Sequence, residues 1–236
     1  MPFAFFNRNG TLVGYDVQMS YDLARFLGVS RIEFVPVKYD SLTESLNRGF
    51  CDIVMCAVSV TPERLETMDF TKPYMDLHLA FVVQDWRTNE FKGLENVRQM
   101  TGLKIAVRNG TENVRTAAML FPRATLVKLD SYDEFFRGDR ADVLFETAEA
   151  GSFLALLHPF YAAVQLEPSD NHIDSYAYPI SKSNNLTLLN LLNYWLDLEK
   201  EHGELNKKYD YWILGKEAQK KSPRWCVARD VLHWIT

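Results

Sequence analysis

The densest concentration of chemically useful side chains lies at residues 57–64, Ala57-Val58-Ser59-Val60-Thr61-Pro62-Glu63-Arg64. It overlaps the end of an apolar run, Asp52–Val58, that reads as a strand, and a strand ending among small residues can expose its backbone to a ligand. Ser59 adds a hydroxyl there. Pro62 suits the first turn of a short helix, with Thr61 as its cap, and Arg64 follows on that turn. An arginine so placed can meet a carboxylate with two parallel charge-assisted hydrogen bonds. The other role open to it is a surface ion pair with Glu63, Glu66 or Asp69, and the segment alone does not choose between the two. A second cluster, Asn109-Gly110-Thr111-Glu112, opens an expected helix Glu112–Leu120. Free N–H groups and the positive end of the helix dipole welcome a carboxylate there without any lysine. Thr111 as a plain cap and Glu112 as an ordinary first-turn acid are equally open.

Catalytic signatures are missing. The sequence has no G-x-S-x-G elbow, no G-x-x-x-x-G-K-[ST] loop, no G-x-G-x-x-G and no H-E-x-x-H. Its five histidines include no i, i+4 pair, so a metal site would need distant ligands to converge. Neither a metal nor a cofactor is expected. Cys51, Cys56 and Cys226 have no metal-ligand spacing, and Cys51 and Cys56 read as buried thiols.

Strand ends are what would hold such groups in place, and the chain offers them regularly. Short apolar runs at Ile32–Val37, Asp52–Val58, Leu77–Val83, Lys104–Val107, Ala124–Lys128, Ala141–Phe145 and Tyr161–Gln165 alternate with helical patterns. The helices are expected at Val17–Leu27, Ser41–Asn47, Glu112–Leu120, Tyr132–Arg137 and Thr147–Leu157. That alternation predicts an α/β fold with mostly parallel strands, whose ligands bind at strand ends. Asp16, Asp40 and Ser131 are expected as helix caps. Two later helices, about Leu186–Lys200 and Gly203–Trp212, precede a polar break at Lys216–Pro223. Arg224–Ile235 then recovers an amphipathic period, expected as a helix docked on the body or, alternatively, on a membrane surface or partner.

At 236 residues and 47% hydrophobic content, the chain can bury one large core or two modest ones. A net charge of −5 with no run of Lys or Arg longer than two argues against a nucleic-acid or anionic-membrane surface. No apolar stretch approaches the ~18 residues of a spanning helix, and a soluble chain is expected. The N-terminus lacks the basic and apolar regions of a signal peptide.

Taken in order, several motifs resemble the family 3 extracellular solute-binding proteins. They are Asn9-Gly10-Thr11-Leu12-Val13-Gly14-Tyr15-Asp16-Val17, Ser59–Arg64, Met68-Asp69-Phe70-Thr71-Lys72-Pro73-Tyr74, Gly102–Val107 with Gly110-Thr111, and Tyr209-Asp210-Tyr211-Trp212-Ile213. The resemblance implies a periplasmic-binding-protein type II fold, two lobes joined by a two-strand hinge. Lobe 1 would comprise residues 1–83 and 179–236, and lobe 2 residues 84–178, with crossings near Val83–Asp85 and Tyr178–Ile180. It further implies that Arg64 grips a ligand α-carboxylate, that Ser59 binds the same end, that Ala57 contributes backbone and that Tyr39 lines the cleft. Asn109, Thr111 and Glu112 would complete the site from lobe 2.

Departures from the resemblance shape the expectation. Where amino-acid-binding relatives place an Asp for the ligand ammonium, this chain has Thr147, flanked by Glu146 and with Glu149 nearby. Either one of Glu112, Glu146 and Glu149 replaces the lost Asp, or the ligand has no α-amino group. Met1-Pro2-Phe3 falls just after the first strand of relatives, so the chain is expected to start late. The segment beyond Leu214 resembles extensions of such domains fused to dicarboxylate-type symporters. The expected function is therefore non-enzymatic binding of an amino acid or organic acid, outside the cytoplasm, for a membrane transporter. A sensory domain and a cyclohexadienyl-dehydratase-like enzyme, with Glu112 or Glu146 as acid, are the alternatives.

Overall fold

A computed structural model describes residues 2–138, 140–166, 175–182 and 186–216. The expected tail helix Arg224–Ile235, with Cys226, lies outside the described residues. A short antiparallel hairpin, β1 (Phe5–Phe6) and β2 (Leu12–Val13), leads into α1 (Tyr15–Leu27). Gly14 makes that entry possible: its φ is 140°, and a Cβ there would lie 2.8 Å from the Pro2 carbonyl oxygen. The same close approach lets Tyr15 and Asp16 donate their N–H groups to the carbonyls of Pro2 and Phe3. Next come a 3₁₀ turn at Tyr39–Ser41, α2 (Leu42–Asn47), α3 (Pro62–Thr67), β3 (Met68–Phe70) and β4 (Met75–Asp76).

The middle of the chain builds a separate sheet. β5 (Leu79–Gln84) is followed by a 3₁₀ stretch and α4 (Leu94–Gln99), then β6 (Lys104–Arg108), α5 (Asn113–Leu120), β7 (Thr125–Leu129), α6 (Asp133–Phe136), β8 (Val143–Thr147), α7 (Ala148–Leu157) and β9 (Tyr161–Gln165). The strand order is β7-β6-β8-β5-β9. β6 pairs in parallel with β7 and β8, whereas β5 runs antiparallel to β8 and β9. Both faces are covered at the central strands β5, β6 and β8, which explains why these read as nearly continuous apolar runs. Phe81, Val83, Ile105, Val107, Val143 and Phe145 point into one core, and the alternate residues Val82, Ala106 and Leu144 into another.

The chain then returns through β10 (Ser175–Tyr176) and β11 (Pro179–Ser181) to α8 (Leu186–Glu201) and α9 (Glu204–Trp212). β10 pairs antiparallel with β4, and β11 with β3. Leu192, Trp195 and Leu196, at i, i+3, i+4, seat α8 on the first lobe's core. A column of rings runs through that core: Tyr15 stacks on Tyr74, and Tyr74 on Tyr178 at a 4.2 Å centroid distance.

Several expectations are corrected. The strands of the first lobe pair antiparallel, so parallel pairing is confined to β6 with β7 and β8 among the described residues. Ile32–Val37 forms no strand: it has no ladder partner among the described residues, and Phe34 and Val35 stay 40% and 41% exposed. Asp52–Val58 makes only an isolated bridge at Ile53. Its ladder is broken at Ala57, whose φ of 50° is the one left-handed value at a non-glycine among the described residues. None of the three expected caps acts as one. Asp16 is buried inside α1, Asp40 sits in the 3₁₀ turn, and the N–H of Ser131 is instead bonded by the Glu134 carboxylate. Residues 79–83, expected in lobe 1, lie in the five-stranded sheet of the other half, and Tyr178, expected in lobe 2, lies in the first lobe's core.

Candidate functional site

A cleft of about 210 Å³ gathers side chains from both halves of the molecule, among them Tyr39, Ser59, Arg64, Arg108, Glu112 and Glu146. The first-lobe wall follows from α3. Thr61 has extended backbone angles and accepts the Arg64 N–H on its Oγ1 at 3.3 Å, while Pro62 occupies the first turn, where no N–H is needed. Arg64 therefore leaves the helix facing back toward the preceding segment, and its Nη1 donates to the Ser59 carbonyl at 2.8 Å. Burial depresses the Arg64 pKa, and the charge of Glu112 opposes that shift. No carboxylate of the described residues is ion-paired with the guanidinium, so the surface ion pair that the sequence left open is not formed. Tyr39 donates its hydroxyl to the Cys56 carbonyl at 2.8 Å.

Asp16 is the residue that fixes this wall, and sequence reasoning missed it. It is fully buried, and its carboxylate accepts the Ala57 N–H at 2.8 Å and the hydroxyls of Tyr74 and Tyr178. Burial raises its pKa to about 6, against the lowering effect of those three donors. The Ala57 N–H is thus already engaged, so the backbone contribution expected of Ala57 cannot come from that group. The strained φ of Ala57 is held in place by the bond to Asp16.

The second-lobe wall is a hydrogen-bonded chain. Glu146, at the end of β8 and 4% exposed, accepts from Asn113 Nδ2 at 2.8 Å, from Tyr132 Oη at 2.6 Å and from the Thr147 N–H at 2.9 Å. Burial first, and the Glu146 charge second, push the Tyr132 phenol well above its ordinary pKa. The Arg108 guanidinium lies over the Tyr132 ring, 5.0 Å from its centroid. Thr111 Oγ1 donates to the Arg108 carbonyl at 2.7 Å and does not cap α5. Glu112 is ion-paired with Arg115, which also reaches Glu63 of the first lobe. Gly110 takes a φ of 75°, and a Cβ on it would meet Tyr39 at 3.9 Å, so the two lobes approach there.

Seven of the nine expected residues therefore line one cleft: Tyr39, Ala57, Ser59, Arg64, Thr111, Glu112 and Glu146. Asn109 and Thr147 do not line it. Asn109 is exposed and ties its loop together, its Oδ1 accepting the Gly110 N–H and its Nδ2 lying 3.5 Å from Asp130. Thr147 is 2% exposed, and its Oγ1 accepts the Ala150 N–H as the cap of α7. Glu149 points away from the cleft toward His78 and Tyr209. Arg108, Asn113 and Tyr132 are additional lining residues; each lies at or shortly after a strand end, which was the available signal. A larger cavity of about 640 Å³ lies beside β4, α8 and α9, where Lys72 is already paired with Asp197 at 2.6 Å.

Among the described residues no helix is long and apolar enough to cross a membrane. Comparison with known proteins places these features. Residues 1–215 match the family model of the bacterial extracellular solute-binding proteins, family 3. ABC transporter arginine-binding protein 1 of Escherichia coli (strain K12) is 25% identical over 216 residues, covering 90% of this chain and 86% of that protein. Cyclohexadienyl dehydratase of Pseudomonas aeruginosa is 25% identical over 215 residues, covering 90% and 78%. The crystal structure of an ancestral amino-acid-binding protein, described as a precursor of cyclohexadienyl dehydratase, matches with a TM-score of 0.78 at 29% identity over 90% of each chain. The fold is thus the expected α/β type II binding-protein fold with two hinged lobes. With residues 1–215 of its 236 matched, the chain belongs to the bacterial extracellular solute-binding proteins, family 3.

Proposed function

We propose that this protein binds a small carboxylate-bearing solute in the cleft between its lobes and presents it to a membrane transporter outside the cytoplasm. The observation that carries the reading is Arg64: a partly buried guanidinium, fixed by Ser59 and α3, with no carboxylate partner of its own among the described residues. A desolvated arginine left unpaired in a cleft is a receptor for an anion. The relatives support the transport role, since they include binding proteins of ABC transporters. The hinge in this reading lies at the β4–β10 ladder, so that lobe 1 runs to about residue 77 and resumes at about residue 175. Ligand contacts on both sides of the cleft then favour the closed state.

An enzymatic reading draws on the likeness to cyclohexadienyl dehydratase, and the site argues against it. Glu146 accepts three hydrogen bonds, and Glu112 is engaged by Arg115. Neither is placed as a group that carries a proton to a leaving group. A thermal-shift screen against amino acids, dicarboxylates and aromatic acids, paired with an assay for prephenate turnover, tests both readings. Arg64→Ala is expected to abolish the ligand-induced shift while leaving the unliganded melting temperature near wild type. Retained affinity in that variant would sink the assignment, and turnover of prephenate would replace it.

A further inference from the structure

We propose that Arg108 is a second anion receptor, and that the solute is a small diacid bridging Arg64 of one lobe to Arg108 of the other. This rests on the solute-binding reading and names its ligand class.

Most arginines of the described residues already have a carboxylate. Arg25, Arg48, Arg87, Arg98, Arg115, Arg137 and Arg140 each lie within about 3 Å of an Asp or Glu. Arg64 and Arg108 have no such partner among the described residues, yet both line the same cleft. Arg64 uses one N–H on the Ser59 carbonyl. Arg108 is half-buried and is held over the Tyr132 ring, a contact that positions the guanidinium plane without consuming its edge donors.

The carboxylates of the cleft, unlike these two arginines, already have charged or hydrogen-bonding partners. Glu112 is ion-paired with Arg115. Glu146 takes bonds from Asn113, Tyr132 and its neighbour's N–H, and Thr147 Oγ1 is used by α7. The formal charges of Arg64, Arg108 and Arg115 against Glu63, Glu112 and Glu146 cancel, so the preference does not come from a net field. It comes from unmet hydrogen-bond demand: the cleft presents guanidinium edges that have no carboxylate partner, whereas among the described residues each of its carboxylates already has a partner. A ligand with two carboxylates meets that demand, one at each arginine.

The geometry also links ligand class to motion. Arg64 stands on α3 of the first lobe, and Arg108 at the end of β6 in the second. Closure brings two like charges toward one cleft, a cost that a monoacid offsets at one end only. A diacid offsets both and ties the lobes together. The 210 Å³ volume is below the ~300 Å³ lower limit usual for drug-sized ligands, which suits a solute of a few carbons.

The test is isothermal titration of the full chain and its Arg108→Gln variant with succinate, glutarate, the half-amide succinamate, glutamate, alanine and arginine. Circular dichroism serves as the control for folding. Plain diacids are expected to bind wild type most tightly. Arg108→Gln is expected to weaken diacid binding at least about tenfold, the loss of one charge-assisted contact, while changing succinamate binding by less than about threefold. Unchanged diacid affinity in a folded Arg108→Gln variant would overturn the proposal, as would arginine or alanine binding wild type more tightly than any diacid. Silence across monoacids and diacids alike would instead overturn the solute-binding reading beneath it.

Discussion

Arg115 on α5 donates to Glu63 on α3 across the mouth of the cleft, while its Nε holds Glu112 on its own lobe. The bridge joins the two halves at the edge of the site, one residue from Arg64. Its members are more than half exposed at Arg115 and Glu63, so water and salt screen it and it adds little to the fold. Under the proposed hinge closure, its effect falls on the balance between open and closed states. Arg115→Ala is therefore expected to leave the melting temperature near wild type, to speed ligand release, and to weaken affinity by about fivefold at most. Raising the salt concentration should move wild type toward the variant. Stopped-flow dissociation measured at two ionic strengths checks this; an unchanged off-rate in the variant would mean that the contact does not report closure.

Thr147, expected from the sequence to stand where an ammonium-binding Asp would, is the cap of α7. Replacing a capping threonine with alanine costs roughly 1 kcal/mol. Thr147→Ala should accordingly lower stability by about that amount and leave ligand affinity untouched. Urea denaturation and titration on the same preparation separate the two effects. A loss of affinity without a loss of stability would return Thr147 to the binding surface.

Much of the second lobe was legible in the sequence because its central strands, β5, β6 and β8, are buried on both faces. The runs Lys104–Val107 and Tyr161–Gln165 needed no partner information to be recognised, and their observed bounds, Lys104–Arg108 and Tyr161–Gln165, lie close by. The first lobe was harder. Its strands are two or three residues long, and its segment at residues 52–58 owes its shape to Ala57, whose left-handed backbone is imposed by an acceptor 41 positions away. No local pattern encodes that. The site divides the same way. Arg64 could be placed because Thr61 and Pro62 announce the helix that carries it. Arg108 and Tyr132 could not be paired in advance, since only the β6–β7 register brings their strand ends side by side.

The pH dependence of stability should report Asp16. Its pKa is raised to about 6 in the folded protein from an ordinary 3.8, because burial outweighs its three donors. Below pH 3.8 the group is protonated in both states. Between pH 3.8 and about 6 the unfolded chain releases the proton while the folded one keeps it, so folding loses stability as pH rises; above 6 the loss is complete. The shift corresponds to on the order of 3 kcal/mol. Carboxylates with lowered pKa, such as Glu134, act in the opposite direction, so the wild-type curve alone does not isolate Asp16. Asp16→Asn supplies the reference. Its amide oxygen can still accept the Ala57 N–H, and its NH₂ can donate to a tyrosine hydroxyl that turns to accept. Urea unfolding of both proteins from about pH 3.5 to 7 should show wild type losing ground to Asp16→Asn across that window and running parallel to it above. A flat difference curve would mean that the Asp16 carboxylate is as comfortable in the folded protein as in water, and that the three donors offset its burial completely.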